Sequence, residues 1–511
     1  MDVDFILPDP SYEEHSWILQ EEHGPAAQPP LIATTRALTN QPSEPGGIPP
    51  AIIINGYTYR RADAGLPFGR MRPPHSVEDL VSWRREWPPQ VDAIAQQLNG
   101  FEPERVARGA WNDTLSEQDG EFQRVYSGVH RSAVGPVRVA VDRFFEAYLR
   151  LYGEGRRSDA MEMLQGFPNL SLERASAVWD LSRVIRSDPT LSGLLGGSFG
   201  ALAAHPSGGS LQERLDSVLQ EFGYTTNNGM QDMPTWADDP TIPLAVARGY
   251  AALEDDRSPR RLAANHREQR LRLEEELKAR ANSDPSAAAV LPLMEMAQVF
   301  LPNLEDHNLL TDQRLTAASR ARWLSIGGYL VQLNAASSPD DVFFYERQEL
   351  VNTLEGGDAV NLAQLQQRRQ LLRLYRAVQP PPTLGQPVEG VGEYASLQLE
   401  GQGPVALRGT PASSGTYRGR ARIIESLNEA DSLVQGDVLV VRSTTPPWSP
   451  YFGIVGAVIT NSGGALSHGA IVAREFGIPA VVGLINATAL IPDGATVTVD
   501  GATGVVVVER D

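Results

Sequence analysis

Apolar residues recur three and four positions apart in SVEDLVSWRREW, VRVAVDRFFEAYLRLYG, LERASAVWDLSRVI, LQERLDSVLQEFG and LTAASRARWLSIGGYLVQL. That spacing predicts amphipathic helices across residues 76–377. The densely charged stretch 256–280 predicts one more helix, exposed to solvent. Upstream, residues 1–75 are proline-rich and irregular, ending in AIIINGYTY, which predicts a short strand and a turn at Asn55-Gly56. The pattern changes after VQPPPTLGQPVEGVG, a Pro/Gly-rich stretch that reads as a linker over 378–402. Short β-branched runs follow: ARIIES, GDVLVVR, GAVIT, PAVVG, ATVTVD and GVVVVE, with one helix over 467–476 set between the third and the fourth. The expected architecture is multidomain. A large, mostly α-helical N-terminal domain, with residues 1–75 packed on it, precedes a C-terminal α/β domain over 403–511.

Composition narrows the function. A chain of 511 residues is too long for one ordinary domain. The formal charge of −19 argues against an electrostatic grip on nucleic acid or anionic membrane. The absence of cysteine excludes disulfides, thiol nucleophiles and cysteine-ligated zinc. The acidic start MDVDFILPDPSYEEH lacks a basic region followed by an apolar core, and no stretch reads as a span of about 18 apolar residues, so a soluble cytoplasmic protein is expected. Lys278 is the single lysine, and it belongs to a charged helix face. A phosphate-cradling GxxxxGK[ST] loop is therefore missing, and neither a nucleotide-binding kinase core nor a Schiff-base enzyme is expected.

The chemistry concentrates at GGALSHGAIVAREFGIP, residues 463–479. A Gly-Gly pair opens a turn, Ser467 can cap a helix, and Gly477 and Pro479 end it. His468 then falls at the first helical position, where unsatisfied N–H groups and the helix dipole favour an anion by roughly 0.3–1 kcal/mol. Neutral imidazole is a nucleophile, and a phosphoimidazole remains a reactive donor. The whole run over 436–483 resembles the phosphohistidine swivelling domain of the PEP-utilizing enzymes, which include PEP synthase, pyruvate phosphate dikinase, rifampin phosphotransferase and phenylphosphate synthase. TTPPWSPYF followed by SHGAIVAREFGIPAVVG looks closest to the rifampin phosphotransferase branch.

The resemblance implies that His468 is phosphorylated and carried between two active sites. Gly463 and Gly464 let backbone approach the phosphoryl oxygens, while Thr444, Thr445, Thr460 and Ser467 offer hydrogen bonds. Arg442 is the expected charge partner, since a guanidinium binds oxyanions in pairs. Arg474 and Glu475, two turns down the helix, read as packing or salt-bridge residues.

In the helical domain, LEDHNLLTDQ is the segment singled out for an acceptor. Glu305, Asn308 and Asp312 are spaced to share a helix face beside His307, with His307 or Glu305 as candidate base and Asn308 and Asp312 as candidate substrate contacts. His130 and His23 are weaker candidates. No metal is expected, because none of these histidines shows His-x-x-x-His spacing. Gly223-Tyr224-Thr225 stands where relatives tend to carry a Gly-His-Arg-type triplet, so no acceptor specificity is carried over from them. The function expected is phosphoryl transfer from His468 to a hydroxyl of a small apolar molecule. Charging would fall to an ATP-grasp partner in trans that holds ATP and Mg2+, with no cofactor on this chain. Two alternatives stay open: an alcohol dehydratase or cyclase that eliminates the phosphate, and a non-catalytic binding or regulatory protein with a relict swivelling domain.

Overall fold

The computed structural model describes residues 3–20, 26–40, 42, 47–64, 77–188, 190–191, 205–226, 230–388, 404–425, 427–444, 446–464 and 467–509. His23 and Thr445 lie outside them. As the sequence pattern predicts, a helical region is followed by a strand-rich α/β domain.

The helical core forms where Pro285–His307 lies against Gly135–Tyr152. Val290, Met294, Ala297, Phe300 and Leu301 on the first meet Val137, Ala140, Val141, Phe144 and Tyr148 on the second. Each of these helices joins a neighbour through a π-helical turn. His130–Val134 links Trp111–Val129 to Gly135–Tyr152, and Asn308–Gln313 links Pro285–His307 to Arg314–Gln332. A π turn inserts an extra residue and re-aims the side chains after it. Both carry polar residues into the helix core.

The continuous run Pro285–Gln332 is long and apolar enough to cross a membrane by length and composition, contrary to the sequence expectation. Its small and aliphatic residues pack on Gly135–Tyr152, and it carries buried Glu305, Asp306 and His307. Earlier in the chain, the charged helix Pro259–Ala281, expected to be exposed, buries Arg270, Glu274 and Leu277, and the half-exposed Lys278 reaches back to Glu274.

A four-stranded antiparallel sheet covers the N-terminal side, in the order Ala51–Ile54, Tyr57–Arg61, Ser16–Leu19, Thr383–Gly385. Asn55 and Gly56 turn its hairpin with φ of 52° and 81°. Thr383–Gly385, inside the stretch read as a linker, pairs with Ser16–Leu19 and ties both ends of the helical region together.

The C-terminal sheet has eight strands, in the order Val405–Arg408, Val505–Val508, Thr496–Asp500, Thr416–Ile423, Val438–Val441, Ala457–Thr460, Ala480–Val482, Thr410–Ser413. Its centre, from Thr416–Ile423 to Ala480–Val482, is parallel. The helix His468–Glu475 crosses between the last two parallel strands. The two regions share one apolar core, in which Trp448, Tyr451, Phe452, Val472 and Phe476 meet Trp179, Leu215, Trp236 and Tyr250.

Candidate active site

His468 follows the carboxyl end of strand Ala457–Thr460, the edge at which parallel sheets bind ligands. Ser467 takes the extended N-cap conformation, although its side chain makes no capping bond. Gly463 has φ of 110°, and a Cβ there would come 2.9 Å from Ser467 Oγ, so the turn requires glycine. The Ser467 N–H donates to the Gly464 carbonyl at 2.9 Å, and Thr460 Oγ1 donates to the Ser462 carbonyl at 2.7 Å. Thr444 closes the other side, since a Cβ on Gly469 would lie 2.1 Å from its Oγ1.

The imidazole of His468 is held at both nitrogens. Nδ1 lies 2.8 Å from Glu305 Oε2, and Nε2 lies 3.1 Å from Ser449 Oγ. A carboxylate only accepts, so Nδ1 carries the proton and the Nε2 lone pair faces Ser449. The Ser449 hydroxyl in turn accepts from Arg174 at 3.3 Å. Glu305 is 3% exposed, and its Oε2 also accepts from Ser171 Oγ at 3.2 Å. Burial presses the Glu305 carboxyl upward, but its contact with His468, with smaller help from His307 and the Ser171 hydrogen bond, outweighs it and holds the group below its ordinary range. Arg174 is wholly buried against the face of Trp236. Burial lowers its guanidinium to about 10, which leaves it cationic at neutral pH.

A second polar cluster adjoins the first. His130 Nε2 lies 3.5 Å and His307 Nε2 4.0 Å from Asp312 Oδ2. Asn308 donates to Asp312 at 3.3 Å and accepts from Gln313, whose own carbonyl accepts from the Thr226 N–H and hydroxyl. Burial lowers His307 to about 4, against the pull of Asp312 and Glu305, so it is neutral. His130 sits above its ordinary value: burial presses it down, but Asp312 and the Tyr126 carbonyl outweigh that.

Glu305, Asn308 and Asp312, grouped on one helix face by their spacing, are split by the π turn. Asn308 and Asp312 stay together, while Glu305 turns to His468. Arg442 is engaged by Glu425 at 2.9 Å, the Val378 carbonyl and the Tyr57 hydroxyl, none of which contacts the His468 ring. Arg474 donates to the Ala412 carbonyl, and Glu475 accepts from Asn169 at 2.7 Å. The guanidinium on the His468 side is Arg174, which the sequence reading passed over together with Ser171 and Ser449. One signal for it was available: Ser171, Arg174, Val178, Leu181 and Ile185 repeat at three and four, which puts an arginine on the buried stripe of Leu170–Ser187. Two open grooves, of about 510 and 370 Å³, are lined by other residues.

The arrangement presents a nucleophilic nitrogen with a fixed tautomer, a buried carboxylate on one side and a buried cation on the other. It suits the transfer of a dianionic group to or from Nε2. Residues 433–504 match the family described as PEP-utilising enzyme, mobile domain, and residues 131–303 match the rifampicin phosphotransferase fourth domain. The chain is 28% identical over 495 residues to chondramide synthase cmdD of Chondromyces crocatus, covering 89% of this chain and 12% of that protein. It is 29% identical over 365 residues to rifampicin phosphotransferase of Streptomyces sviceus, covering 69% of this chain and 41% of that one. Over 106 residues it is 49% identical to phosphoenolpyruvate synthase of Aeropyrum pernix, covering 20% and 13%. The chain thus spans less than half the length of each of these relatives. His468 thus falls within the stretch similar to the mobile domain of the PEP-utilising enzymes, and Arg174 within the stretch similar to the rifampicin phosphotransferase fourth domain.

Proposed function

We propose that this chain is a phosphotransferase component in which His468 receives a phosphoryl group elsewhere and delivers it, docked against Glu305, to a hydroxyl of a small apolar organic molecule. The observation that carries this reading is the 2.8 Å contact between His468 Nδ1 and Glu305 Oε2, which joins the mobile domain to the helical region. In the step proposed, the acceptor oxygen attacks phosphorus, the P–O bond forms and the P–Nε2 bond breaks. The electron pair returns to Nε2 while Glu305 keeps the Nδ1 proton in place, and the hydroxyl proton passes to water. Such transfer rests mainly on positioning and charge stabilisation, and Arg174 supplies the cation on the Nε2 side. The phosphoryl donor is assigned to an ATP-grasp protein acting in trans with ATP and Mg2+, because the chain has one lysine and no phosphate-cradling loop.

The test combines the purified chain, a candidate ATP-grasp protein and γ-32P-ATP. Acid-labile label on the wild-type chain, and its complete loss in His468→Ala with the circular dichroism spectrum unchanged, are the expected results. Equal labelling of His468→Ala would overturn the proposal.

A further inference from the structure

We infer that His130, His307 and Asp312 form a binding site for one divalent transition-metal ion of the zinc class beside the carboxylate that holds His468. The ligand atoms of the three side chains all lie within 4.8 Å of one another, in a buried place. Two imidazole nitrogens and one carboxylate oxygen form a donor set that suits zinc, cobalt or manganese. Bonds of about 2.0 Å at tetrahedral angles need ligands roughly 3.3 Å apart. The 3.5 Å and 4.0 Å contacts on Asp312 Oδ2 approach that spacing, and small side-chain rotations close the remainder.

Three further observations point the same way. First, the histidines come from different helices, and each lies at a π turn: His130 opens His130–Val134, and His307 immediately precedes Asn308–Gln313, which contains Asp312. Single π turns inside α-helices are frequent at functional sites because they re-aim side chains at the expense of regular hydrogen bonding. Two of them converge on one carboxylate here. Second, His130 Nδ1 donates to the Tyr126 carbonyl at 2.8 Å, which orients the ring and turns Nε2 toward Asp312 as the nitrogen left to bind an ion. Third, Asn308 hydrogen-bonds Asp312, the outer support expected of a ligating carboxylate. The His-x-x-x-His rule missed the site because its histidines meet through the fold.

Three protein ligands leave a fourth position open, the pattern of a catalytic rather than a structural ion. Glu305, which holds His468, lies two residues before His307 on the same helix, so the ion would sit on the helix that carries the phosphoryl-transfer contact. An acceptor hydroxyl filling the open position would have its pKa lowered by the ion and would lose its proton to water more readily. That role rests on the proposed transfer reaction, whereas the ion's binding does not.

The test is titration of the full chain, stripped with EDTA, by Co2+, followed by visible absorption and then by displacement with Zn2+. One equivalent of Co2+ should give the intense bands of a four-coordinate ion, and one equivalent of Zn2+ should remove them. His307→Gln and Asp312→Asn should each weaken binding roughly 100-fold, with His130→Gln as an independent third variant should either fail to fold. His266→Gln, at a histidine paired with Glu162, should change nothing. His468→Ala should bind Co2+ within twofold of wild type, so a failure of phosphoryl transfer and a failure of metal binding are read separately. A wild-type chain that gives no such spectrum, leaving only a His130–Asp312 ion pair, would overturn the inference, as would ligand variants that bind like wild type.

Discussion

Glu305→Gln keeps the shape of the side chain and removes its charge, so it isolates what the carboxylate does for His468. Glu305 Oε2 accepts from His468 at 2.8 Å and from Ser171 at 3.2 Å, in a place 3% exposed. A hydrogen bond to a charged group contributes about 1.5–3 kcal/mol, against about 0.5–1.5 for a neutral one. The amide retains a neutral bond, so about 1–1.5 kcal/mol is lost, which at about 1.4 kcal/mol per factor of ten is a rate decrease of roughly 5- to 12-fold. Glu305→Ala removes the whole bond and should slow transfer roughly 10- to 150-fold. The assay charges His468 chemically with 32P-phosphoramidate, which needs no partner protein, and follows loss of acid-labile label to a pool of small alcohols by quenched flow. A Gln variant that discharges at the wild-type rate, or an Ala variant no slower than Gln, would refute the role given to this carboxylate.

Arg174→Met removes the cation behind Ser449 and should slow discharge roughly tenfold or more, since the bond it makes to the Ser449 hydroxyl has a charged donor. Arg174→Lys should recover little, because an ammonium cannot reproduce the planar fork, and a wild-type rate in either variant would exclude the residue from transfer. Glu475 gives a pH dependence. Burial, then the charge of Glu305, with Asp306 adding to it, pushes the Glu475 carboxyl from 4.5 up to about 8, against the Asn169 hydrogen bond and Arg474. The docked state therefore binds this proton more tightly than the released state. Docking is strongest below about 4.5, weakens as pH rises toward about 8 and levels off above it. The radius of gyration of wild type should rise across that window, and the same slope in Glu475→Gln would sink the assignment.

Much of this could be read along the chain. The change from a period of three and four to short β-branched runs is a local property, as is the glycine turn before His468, so both survive in one dimension. The partner of that histidine does not. Glu305 was visible as a candidate base in LEDHNLLTDQ, but its contact with His468 exists only because the two regions pack together. Regular helical spacing also misgrouped Glu305 with Asp312, since nothing in LEDHNLLTDQ announces a π turn. Arg174 was hidden for a different reason: a charged residue on an apolar stripe reads as an irregularity until its neighbours, Trp236 and Ser449, are in place.

The aromatic core shared by the two regions has a thermal consequence. Pulling Trp448, Tyr451, Phe452 and Phe476 away from Trp179 and Tyr250 would hydrate apolar surface, and hydration of such surface raises the heat capacity. Apolar contact also weakens on cooling, so a domain held this way comes loose more easily in the cold than hydrogen bonds alone would allow. In the proposed relay, a surface that receives His468 away from Glu305 would have to cover the same four rings, or they would stand in water for part of each cycle.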